Sequence, residues 1–460
     1  MATVQQTQRL IPQVKGAPLV GNTFQFIRDP LAFLSRLQQQ YDRLVRFTIA
    51  NRLVTLTLTP EDAKHILQEN NKNFVKSDAY KVLSLFLGNG LLNSEGDFWR
   101  RQRRLAQPAF HRQRLALLVD TMVQETQELV ERWKQHTTAL PVDISEEMMK
   151  LTLEIVTRSL FSSDVKKHLG NISKEITTII EFAYAELHSF VHIPTHYPTP
   201  RNIRYRRAVE KVEGIIYDII NQRRAEKASG NHVRYDDLLE MLMEARDEET
   251  GDQMTDKQLR DEVTTIFMAG HETTANALAW SLYLLAKHPE VASKVREEVH
   301  RVIGSEGIPT AETVRALSYT LQVIQETMRL YPPAWLFGRK PVIDEPLGEY
   351  VLPANFGVLI CPYLLHRDPK HWTNPDQFNP DNFLPERLKE RPAYSYIPFG
   401  GGPRLCIGNN FALMEMQVVL ALLVRTFDFH TTRRNVIEPE PGITLRPKGG
   451  LRLRISPMSI

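Results

Sequence analysis

One cysteine of this chain lies in a glycine-rich segment that precedes a predicted helix. Residues 399–408, the cysteine loop, read Phe-Gly-Gly-Gly-Pro-Arg-Leu-Cys-Ile-Gly. Cys361 and Cys406 are the only two cysteines, which excludes a disulfide framework and a four-cysteine zinc site. Three uses remain for Cys406: a structural core thiol, a nucleophile, or a single thiolate ligand to a metal. Taken alone, the cysteine favours the structural thiol and the ligand equally.

The neighbours of Cys406 favour the ligand. A helix is predicted to begin near Asn409, and the N–H groups at a helix start stabilise a thiolate. Phe399 can shield the sulfur from water, and the glycines at 400–402 let the backbone approach a flat cofactor closely. Arg404 can pair with a carboxylate of that cofactor. A phosphate-binding loop is excluded because no Gly-Lys-Ser/Thr follows the glycines.

A second candidate site lies in a long predicted helix. Thr255 and Gln258 form a capping-box pattern, and helical periodicity continues to Lys287 before Pro289. This helix, called the long helix below, would have about thirty residues and extend ~45 Å. Its middle, residues 269–274, reads Ala-Gly-His-Glu-Thr-Thr. The glycine costs about 1 kcal/mol of helix stability, so helix formation does not explain this composition.

Polar residues in the middle of the long helix form a second candidate group. Ala269 and Thr273 are four residues apart and therefore share a face, with Glu272 beside them. The resemblance described below gives this acid and alcohol a joint role. The alternative is that Glu272 is solvated and that Thr273 bonds back to its own helix, and the sequence leaves this open. His271 is interpreted as a local hydrogen-bonding residue.

The cysteine loop resembles the haem-binding signature of the cytochrome P-450 superfamily. The resemblance implies haem b as cofactor, with Cys406 as the axial iron ligand whose electron donation promotes O–O cleavage. It also implies a mainly α fold with small peripheral β-sheets, in which haem lies between the long helix and the helix after the cysteine loop. The residues that match the signature are Phe399, Gly402, Arg404, Cys406 and Gly408.

The same resemblance assigns roles within the long helix. Ala269 and Gly270 would lie beside the haem, and Gly270 and Thr273 would open a pocket for dioxygen. Thr273 would hydrogen-bond the activated oxygen, and Glu272 would relay protons from solvent.

Two further motifs match the family by resemblance. Trp99 and Arg103, four residues apart, would reach a haem propionate, together with Arg404 and Arg339. Pairing two carboxylates with three arginines suits a partly buried dianionic cofactor. The remaining cations of this helix are interpreted either as a docking surface for an acidic electron-transfer protein or as a solvated face. They are Arg100, Arg101 and Arg104.

Glu326 and Arg329 are three residues apart on one predicted helix, where such a pair is usually a modest surface ion pair. In the resembled family the pair is buried and holds the helix to the cysteine loop. The segment 375–383 normally adds a second arginine to this network, but this chain has Asn382. Hydrogen bonds are therefore expected to replace a charge pair, and the third member of the network stays open.

The resemblance places a set of apolar residues at the substrate. They suit a hydrophobic small molecule held mainly by desolvation, although Phe267 and Trp335 could equally be core residues. The pattern around Trp99 is nearest to fatty-acid-hydroxylating branches of the family, while terpenoids, steroids and carotenoids remain open. The set is Leu92, Phe267, Ala269, Ala334 and Trp335.

The predicted function is a haem-thiolate monooxygenase that inserts one atom of dioxygen into a hydrophobic substrate. No flavin- or ferredoxin-like segment follows residue 408, so a separate electron-transfer protein of the ferredoxin or flavodoxin type, with its reductase, is expected. One alternative is an enzyme that uses or isomerises peroxide, whose known examples often lack the acid–alcohol pair. The other is a haem-binding sensor without turnover.

Composition and pattern limit the remaining possibilities. A net charge of +3, without a long basic tract or zinc-finger spacing, argues against a nucleic-acid partner. Residues 1–18 contain no continuous apolar run, so neither a secretory signal nor a membrane anchor is expected, and two cysteines suggest a reducing cytoplasm.

A single domain over residues 1–460 is predicted, with a proline-rich N-terminal segment at 1–22. Hairpins are predicted over 45–58, with Ala50-Asn51-Arg52 at the turn, and around residues 448–450.

Overall fold

The computed structural model describes residues 9–49, 52–135, 140–162, 172–187, 193–229, 235–432 and 437–458. The chain is predominantly helical with small sheets, as predicted. It divides into two compact units, which are described separately. The first comprises Met1–Tyr80 and Met328–Cys406, and the second comprises Lys81–Thr327 and Ile407–Ile460.

The first unit contains a five-stranded sheet. Its strands lie in the order Leu44–Ile49, Arg52–Thr57, Gly357–Ile360, Phe337–Pro341 and Phe74–Lys76. The first two pair antiparallel from Leu44 opposite Thr57 to Ile49 opposite Arg52, which confirms the first predicted hairpin. Its turn residues Ala50 and Asn51 lie outside the described residues. The strand Arg52–Thr57 pairs in parallel with Gly357–Ile360, and the other pairs are antiparallel.

Short helices and one small hairpin surround this sheet. Alternating residues Val358 and Ile360 of one strand enter the apolar core of the unit, together with Leu44 and Phe74. The hairpin pairs Glu345–Leu347 with Tyr350–Leu352. The helices are Thr23–Arg28, Pro30–Gln40, Pro60–Lys64, His65–Glu69, Asn71–Asn73, Pro362–Leu365, Pro380–Phe383, Pro385–Glu390, Ala393–Ser395 and Gly402–Arg404.

The proline-rich N-terminal segment runs beside the first strand. The Val14 N–H donates to the Arg46 carbonyl at 2.8 Å, and the Arg46 N–H donates to the Pro12 carbonyl at 2.7 Å. Residues 1–8 of the predicted segment lie outside the described residues.

Helices form most of the second unit. The long helix is Asp256–Lys287, 32 residues, and begins with the predicted capping box between Thr255 and Gln258. The helix Ser318–Leu330 contains the point at which the chain passes from the second unit to the first. The others are Tyr80–Leu87, Gly96–Ala106, Gln107–Phe110, Arg112–Ala116, Val119–Gln135, Ile144–Phe161, Ile172–Leu187, Pro200–Ala228, Leu238–Glu244, Pro289–Val302, Ala311–Ala316 and Asn409–Thr426.

Two small antiparallel sheets complete the second unit, and they correct the second predicted hairpin. Arg452–Pro457 pairs with Phe427–Thr431 and with Val142–Asp143, whereas Leu445–Pro447 pairs with Pro439–Pro441. The predicted turn exists, because Gly449 and Gly450 have φ of +73° and +81°. However, Gly450 packs so closely on Asp143 that a Cβ there would lie 2.5 Å from its Oδ2. The chain therefore joins the strand at Asp143 instead of folding back on itself.

Within the described ranges, no helix combines the length and the hydropathy that crossing a bilayer requires.

Candidate active site

The cysteine loop is held by backbone hydrogen bonds and close packing. The Cys406 N–H donates to the Phe399 carbonyl at 3.0 Å, and the Gly400 N–H donates to the Ile397 carbonyl at 3.0 Å. Gly402 has φ of +62°, and a Cβ there would lie 1.9 Å from the Leu67 carbonyl oxygen. A Cβ at Gly401 would lie 2.6 Å from the Tyr394 ring. Packing within the first unit therefore requires these two glycines, a reason that the sequence did not reveal.

The two cysteines have opposite environments. Cys361 is fully buried, and its S–H donates to the Trp335 carbonyl at 3.3 Å. Burial raises the pKa of the Cys361 thiol to about 12, so it stays protonated at neutral pH. Cys406 is exposed and forms no disulfide. A haem iron requires an accessible sulfur, which is therefore present at Cys406 and not at Cys361.

The helix after the cysteine loop begins where the sequence predicts. It spans Asn409–Thr426, with Gly408 as the N-cap residue. A Cβ at Gly408 would meet nothing closer than Phe110 Cε1 at 3.9 Å, so packing against the described residues does not require glycine there.

The predicted propionate ligands are distributed over both units. Arg339 is buried on the strand Phe337–Pro341, where its guanidinium donates to the Gly338 carbonyl at 3.0 Å. Arg404, in the same unit, is half-buried. Trp99 and Arg103 lie one turn apart on the helix Gly96–Ala106 in the second unit, and both line an open cleft of about 430 Å³. Their contact with a haem stays a prediction.

The other three arginines of that helix are engaged by carboxylates of the second unit. Arg104 contacts Asp247 at 2.8 Å and Glu249 at 2.7 Å, and its hydrogen bond holds the pKa of Asp247 at about 2. Arg101 lies 3.4 Å from Asp252, and Arg100 pairs with Asp97. Arg101 and Arg104 therefore fix the acidic turn before the long helix. A docking role for these cations stays a prediction.

Thr273 adopts the back-bonded arrangement that the sequence left open. Its hydroxyl donates to the Ala269 carbonyl at 2.6 Å. Thr273 is half-buried and Ala269 is exposed, although the helix residues that follow, from Thr274 to Leu285, are buried. The oxygen of Thr273 can still accept a hydrogen bond, since a hydroxyl has two lone pairs.

Gly270 is not required by packing. An added Cβ would make an ordinary contact of 3.4 Å with Val156 Cγ2 on the helix Ile144–Phe161. The helix therefore tolerates a methyl group at this position, and the predicted role of Gly270 in opening a dioxygen pocket stays a prediction.

Glu272 is largely buried, which excludes the solvated alternative. The Thr444 hydroxyl donates to Glu272 Oε1 at 2.6 Å and accepts from Asn276 Nδ2 at 3.0 Å. Burial raises the pKa of Glu272, whereas the Thr444 hydrogen bond and the positive charge of Arg446 act against that rise. Because Oε1 already accepts a hydrogen bond, the proton of the neutral acid belongs on Oε2. No pattern in the sequence indicates Thr444, which is 172 residues away.

Replacing Glu272 with glutamine should stabilise the protein at neutral pH. A carboxyl whose pKa is raised on folding costs stability once the pH exceeds its unfolded pKa of about 4.3, because the charged form is then buried. At lower pH both states are protonated, and the difference should disappear. Glutamine still accepts from Thr444, so the hydrogen bond is retained.

The measurement is the melting temperature of Glu272→Gln and of the unmodified protein from pH 3.5 to pH 8. In a protein of this size, each kcal/mol of added stability should raise the melting temperature by less than the ~2–4 °C typical of domains half as large. A melting-temperature difference that does not change with pH would contradict the buried-acid interpretation.

His271 forms a hydrogen bond to a neighbouring helix, whereas the prediction of a local bond implied a partner close in sequence. Its Nε2 donates to the Met149 carbonyl at 3.0 Å, and burial lowers its pKa to about 4. The ring is therefore neutral at physiological pH, and it fixes the long helix to the helix Ile144–Phe161 instead of titrating.

The predicted substrate residues divide by exposure. Leu92 is half-buried and Ala334 is exposed, while Phe267 and Trp335 are only 3% and 6% exposed. The core-residue alternative therefore describes Phe267 and Trp335 in this structure. Leu92 and Phe267 belong to the second unit, and Ala334 and Trp335 belong to the first.

Arg329 is a fully buried cation that binds backbone carbonyls. Its guanidinium donates to the carbonyls of His366, Pro375 and Gln377 at 3.0, 2.5 and 2.8 Å. Glu326, one turn earlier on the same helix, is also fully buried. The pair is therefore buried and not a surface ion pair.

The cation missing at Asn382 is supplied nearby by Arg391. Asn382 is buried, and its backbone carbonyl accepts from the Arg391 guanidinium. Arg391 stacks 3.9 Å from the Trp372 ring, and Arg329 lies 5.0 Å from the same ring. Sequence reasoning missed Arg391 because it lies nine residues after Asn382, outside the motif. Whether the Asn382 side chain joins Glu326 and Arg329 stays a prediction.

Comparison with known proteins identifies the family. The family model described as cytochrome P450 matches residues 11–453. The chain is 36% identical to cyclooctatin synthase of Streptomyces melanosporofaciens, over 96% of this chain and 93% of that protein. It is 32% identical to cyclooctat-9-en-7-ol 5-monooxygenase of the same organism, over 93% and 89%. The crystal structure of the cytochrome P450DA heme domain is similar with a TM-score of 0.88 and 26% identity, over 98% of each chain.

The chain belongs to the cytochrome P450 family. It has the mainly helical, single-domain fold of that family, uses haem b, and is an oxygen-incorporating oxidoreductase, a monooxygenase. These findings confirm the predicted fold class, cofactor and enzyme class. The roles of individual site residues stay predictions.

Proposed function

We propose that the protein hydroxylates a terpenoid-like, weakly polar cyclic alcohol, with electrons from a separate ferredoxin- or flavodoxin-type protein and its reductase. Two relatives support the substrate class, since one is named for acting on cyclooctat-9-en-7-ol and the other for forming cyclooctatin. The accessible predicted substrate residues Leu92 and Ala334 are apolar, which suits such a molecule. An exposed cysteine without a disulfide, as at Cys406, suits a reducing compartment, which supports a cytoplasmic location.

We assign the iron-ligand role to Cys406. When bound, the haem supplies the redox chemistry that splits dioxygen, one atom going to the substrate and the other to water. The reaction consumes two electrons and two protons for each hydroxyl group formed. The protein residues must therefore hold the substrate, exclude water and deliver protons.

The observation that carries the proposal is the buried acid beside an alcohol in the middle of the long helix. Burial raises the pKa of Glu272 and Thr444 orients its carboxyl group, while Thr273 at the next position presents a hydroxyl oxygen. A carboxyl group whose pKa is raised is a better proton donor than a fully solvated one, because it holds its proton to a higher pH. The pair supports proton delivery to activated dioxygen, and a peroxide-using enzyme or a sensor has no need of it.

The test is a turnover assay with purified protein and a panel of cyclic terpenoid alcohols and fatty acids. One arm contains dioxygen, NADPH and a surrogate ferredoxin with its reductase, and the other contains hydrogen peroxide alone. We expect hydroxylated terpenoid product in the first arm only. Product with peroxide alone would favour a peroxygenase, fatty-acid product alone would overturn the substrate class, and no product in either arm would favour a sensor.

A further inference from the structure

The segment 88–94 forms a tight turn between the helices Tyr80–Leu87 and Gly96–Ala106. The Gly90 carbonyl accepts from the N–H groups of Asn93 and Ser94, both at 2.9 Å. The Asn93 side-chain amide donates to the Gly88 carbonyl at 3.1 Å. These bonds close the turn on itself, and the turn contains the half-buried Leu92. This turn, residues 88–94, is called the Leu92 turn below.

Two consecutive acids of the long helix bind the backbone of the Leu92 turn. The Asn89 N–H donates to Asp261 Oδ2 at 2.9 Å, and the Leu91 N–H donates to Glu262 Oε2 at 3.1 Å. Asp261 and Glu262 are only 3% and 1% exposed. Hydrogen bonds to a buried carboxylate are stronger than those between neutral groups, so the turn is fixed to the helix at two adjacent points.

Glycines permit this close approach. Gly88 has φ of +62°, and a Cβ there would lie 2.3 Å from Asp261 Oδ1. At Gly90 a Cβ would lie 2.3 Å from Thr265 Oγ1 and 2.7 Å from the Asp261 carbonyl oxygen. Any side chain at position 90 would therefore push the turn away from the helix. The absence of side chains at Gly88 and Gly90 therefore lets the turn approach closely enough to donate to Asp261 and Glu262.

The contact lies on the face of the long helix that carries Ala269 and Thr273. Glu262, Ala269 and Thr273 are spaced at i, i+7 and i+11, which places them within about 40° of one another around the helix. Along the axis, Glu262 precedes Ala269 by ~10 Å. The Leu92 turn is therefore anchored about two helical turns from Ala269 and on the same side.

We propose that Asp261 and Glu262 are positioning residues, which fix the Leu92 turn so that Leu92 orients the substrate and sets which carbon is oxidised. This inference rests on the proposed function, because it requires a substrate above Ala269 and Thr273. It assigns no chemical step to the two acids, which act only through the backbone of the turn.

The first experiment does not depend on turnover. Glu262→Gln weakens the acceptor for the Leu91 N–H without changing the size of the side chain. We expect hydrogen–deuterium exchange of the segment 88–94 to accelerate at least about tenfold, because the hydrogen bond that the Leu91 N–H donates to this side chain is weakened. Glu213→Gln is the matched control. It removes an acid 3.3 Å from Arg260, the same cation that contacts Asp261, but within the described residues this acid accepts no hydrogen bond from the turn. Its exchange should equal that of the unmodified protein.

The second experiment measures product identity in the same haem-loaded variants. We expect Glu262→Gln and Gly90→Ala to change the ratio of regioisomers at least about threefold and to leave the carbon monoxide spectrum unaltered. Gly90→Ala disturbs the same contact from the turn, so it replaces Glu262→Gln if that variant does not fold. If Glu262→Gln exchanges faster but its product ratio is unchanged, the positioning role is wrong. If its exchange rate is unchanged, the two acids do not hold the Leu92 turn. If the unmodified protein itself forms no product, the proposed function is contradicted instead.

Discussion

Cys406→Ser should abolish product formation, with a loss on the order of 10³-fold or more in turnover, equivalent to over ~4 kcal/mol of barrier. A serine hydroxyl does not ionise at neutral pH, so it cannot provide the anionic sulfur that promotes O–O cleavage. The rate is measured as product formed per haem in the reconstituted assay, after correction for the haem content of each variant.

Cys361→Ser is the matched control for this variant. Cys361 carries the only other thiol, but it is buried, protonated and bonded to the Trp335 carbonyl. A serine there can donate to the same carbonyl, so turnover should remain within about twofold, which is less than 0.5 kcal/mol. Equal losses in the two variants would show that Cys406 acts through folding and not as a ligand.

Thr273→Ala should separate reductant consumption from product formation. The Thr273 oxygen is the hydroxyl next to the buried acid, and general acid–base contributions typically amount to ~10²–10⁴-fold in rate. We expect product per NADPH consumed to fall at least about tenfold, with hydrogen peroxide released in its place. Both quantities are measured in one assay.

Two threonine variants test whether the hydroxyl is responsible. Thr273→Ser keeps the hydroxyl and should restore most of the coupling. Thr274→Ala removes the hydroxyl of the next residue, which is buried on the long helix and has no hydrogen-bond partner among the described residues. Its coupling should stay near that of the unmodified protein. If Thr273→Ala leaves coupling unchanged, the Thr273 hydroxyl serves only to donate its hydrogen bond to the Ala269 carbonyl and takes no part in proton delivery.

Local patterns in the sequence were sufficient for several features of the fold. The capping box at Thr255 and Gln258 and the helix that follows depend on side chains within a few residues of each other, and both appear where predicted. The first hairpin follows from alternation between residues 45 and 58. The second hairpin was wrong because Gly450 packs on Asp143, more than 300 residues earlier, and a local pattern contains no such information.

The candidate site was predictable in residue identity but not in its supporting contacts. Cys406, Glu272 and Thr273 were selected from their sequence patterns together with the family resemblance, and their roles stay predictions. The hydroxyl that orients Glu272 comes from Thr444, and the cation beside Asn382 comes from Arg391, so both depend on tertiary packing. Gly401 and Gly402 are required by Tyr394 and Leu67, whereas the sequence suggested that they make room for the cofactor.

The two acids that bind the Leu92 turn also could not be predicted from local sequence. In the sequence, Asp261 and Glu262 resemble ordinary charged residues in the first turns of a helix. Their burial and their bonds to the N–H groups of Asn89 and Leu91 become visible only when a turn 170 residues earlier packs on that helix.

The visible spectrum of the reduced, carbon monoxide-bound protein tests most directly whether the sulfur of Cys406 binds the haem iron. The unmodified protein and Cys361→Ser should both show the strongly red-shifted band of an anionic-sulfur ligand, and Cys406→Ser should lose it while retaining haem. If folded, haem-loaded protein lacked that band, or if Cys406→Ser kept it, the assignment of Cys406 as the iron ligand would be contradicted.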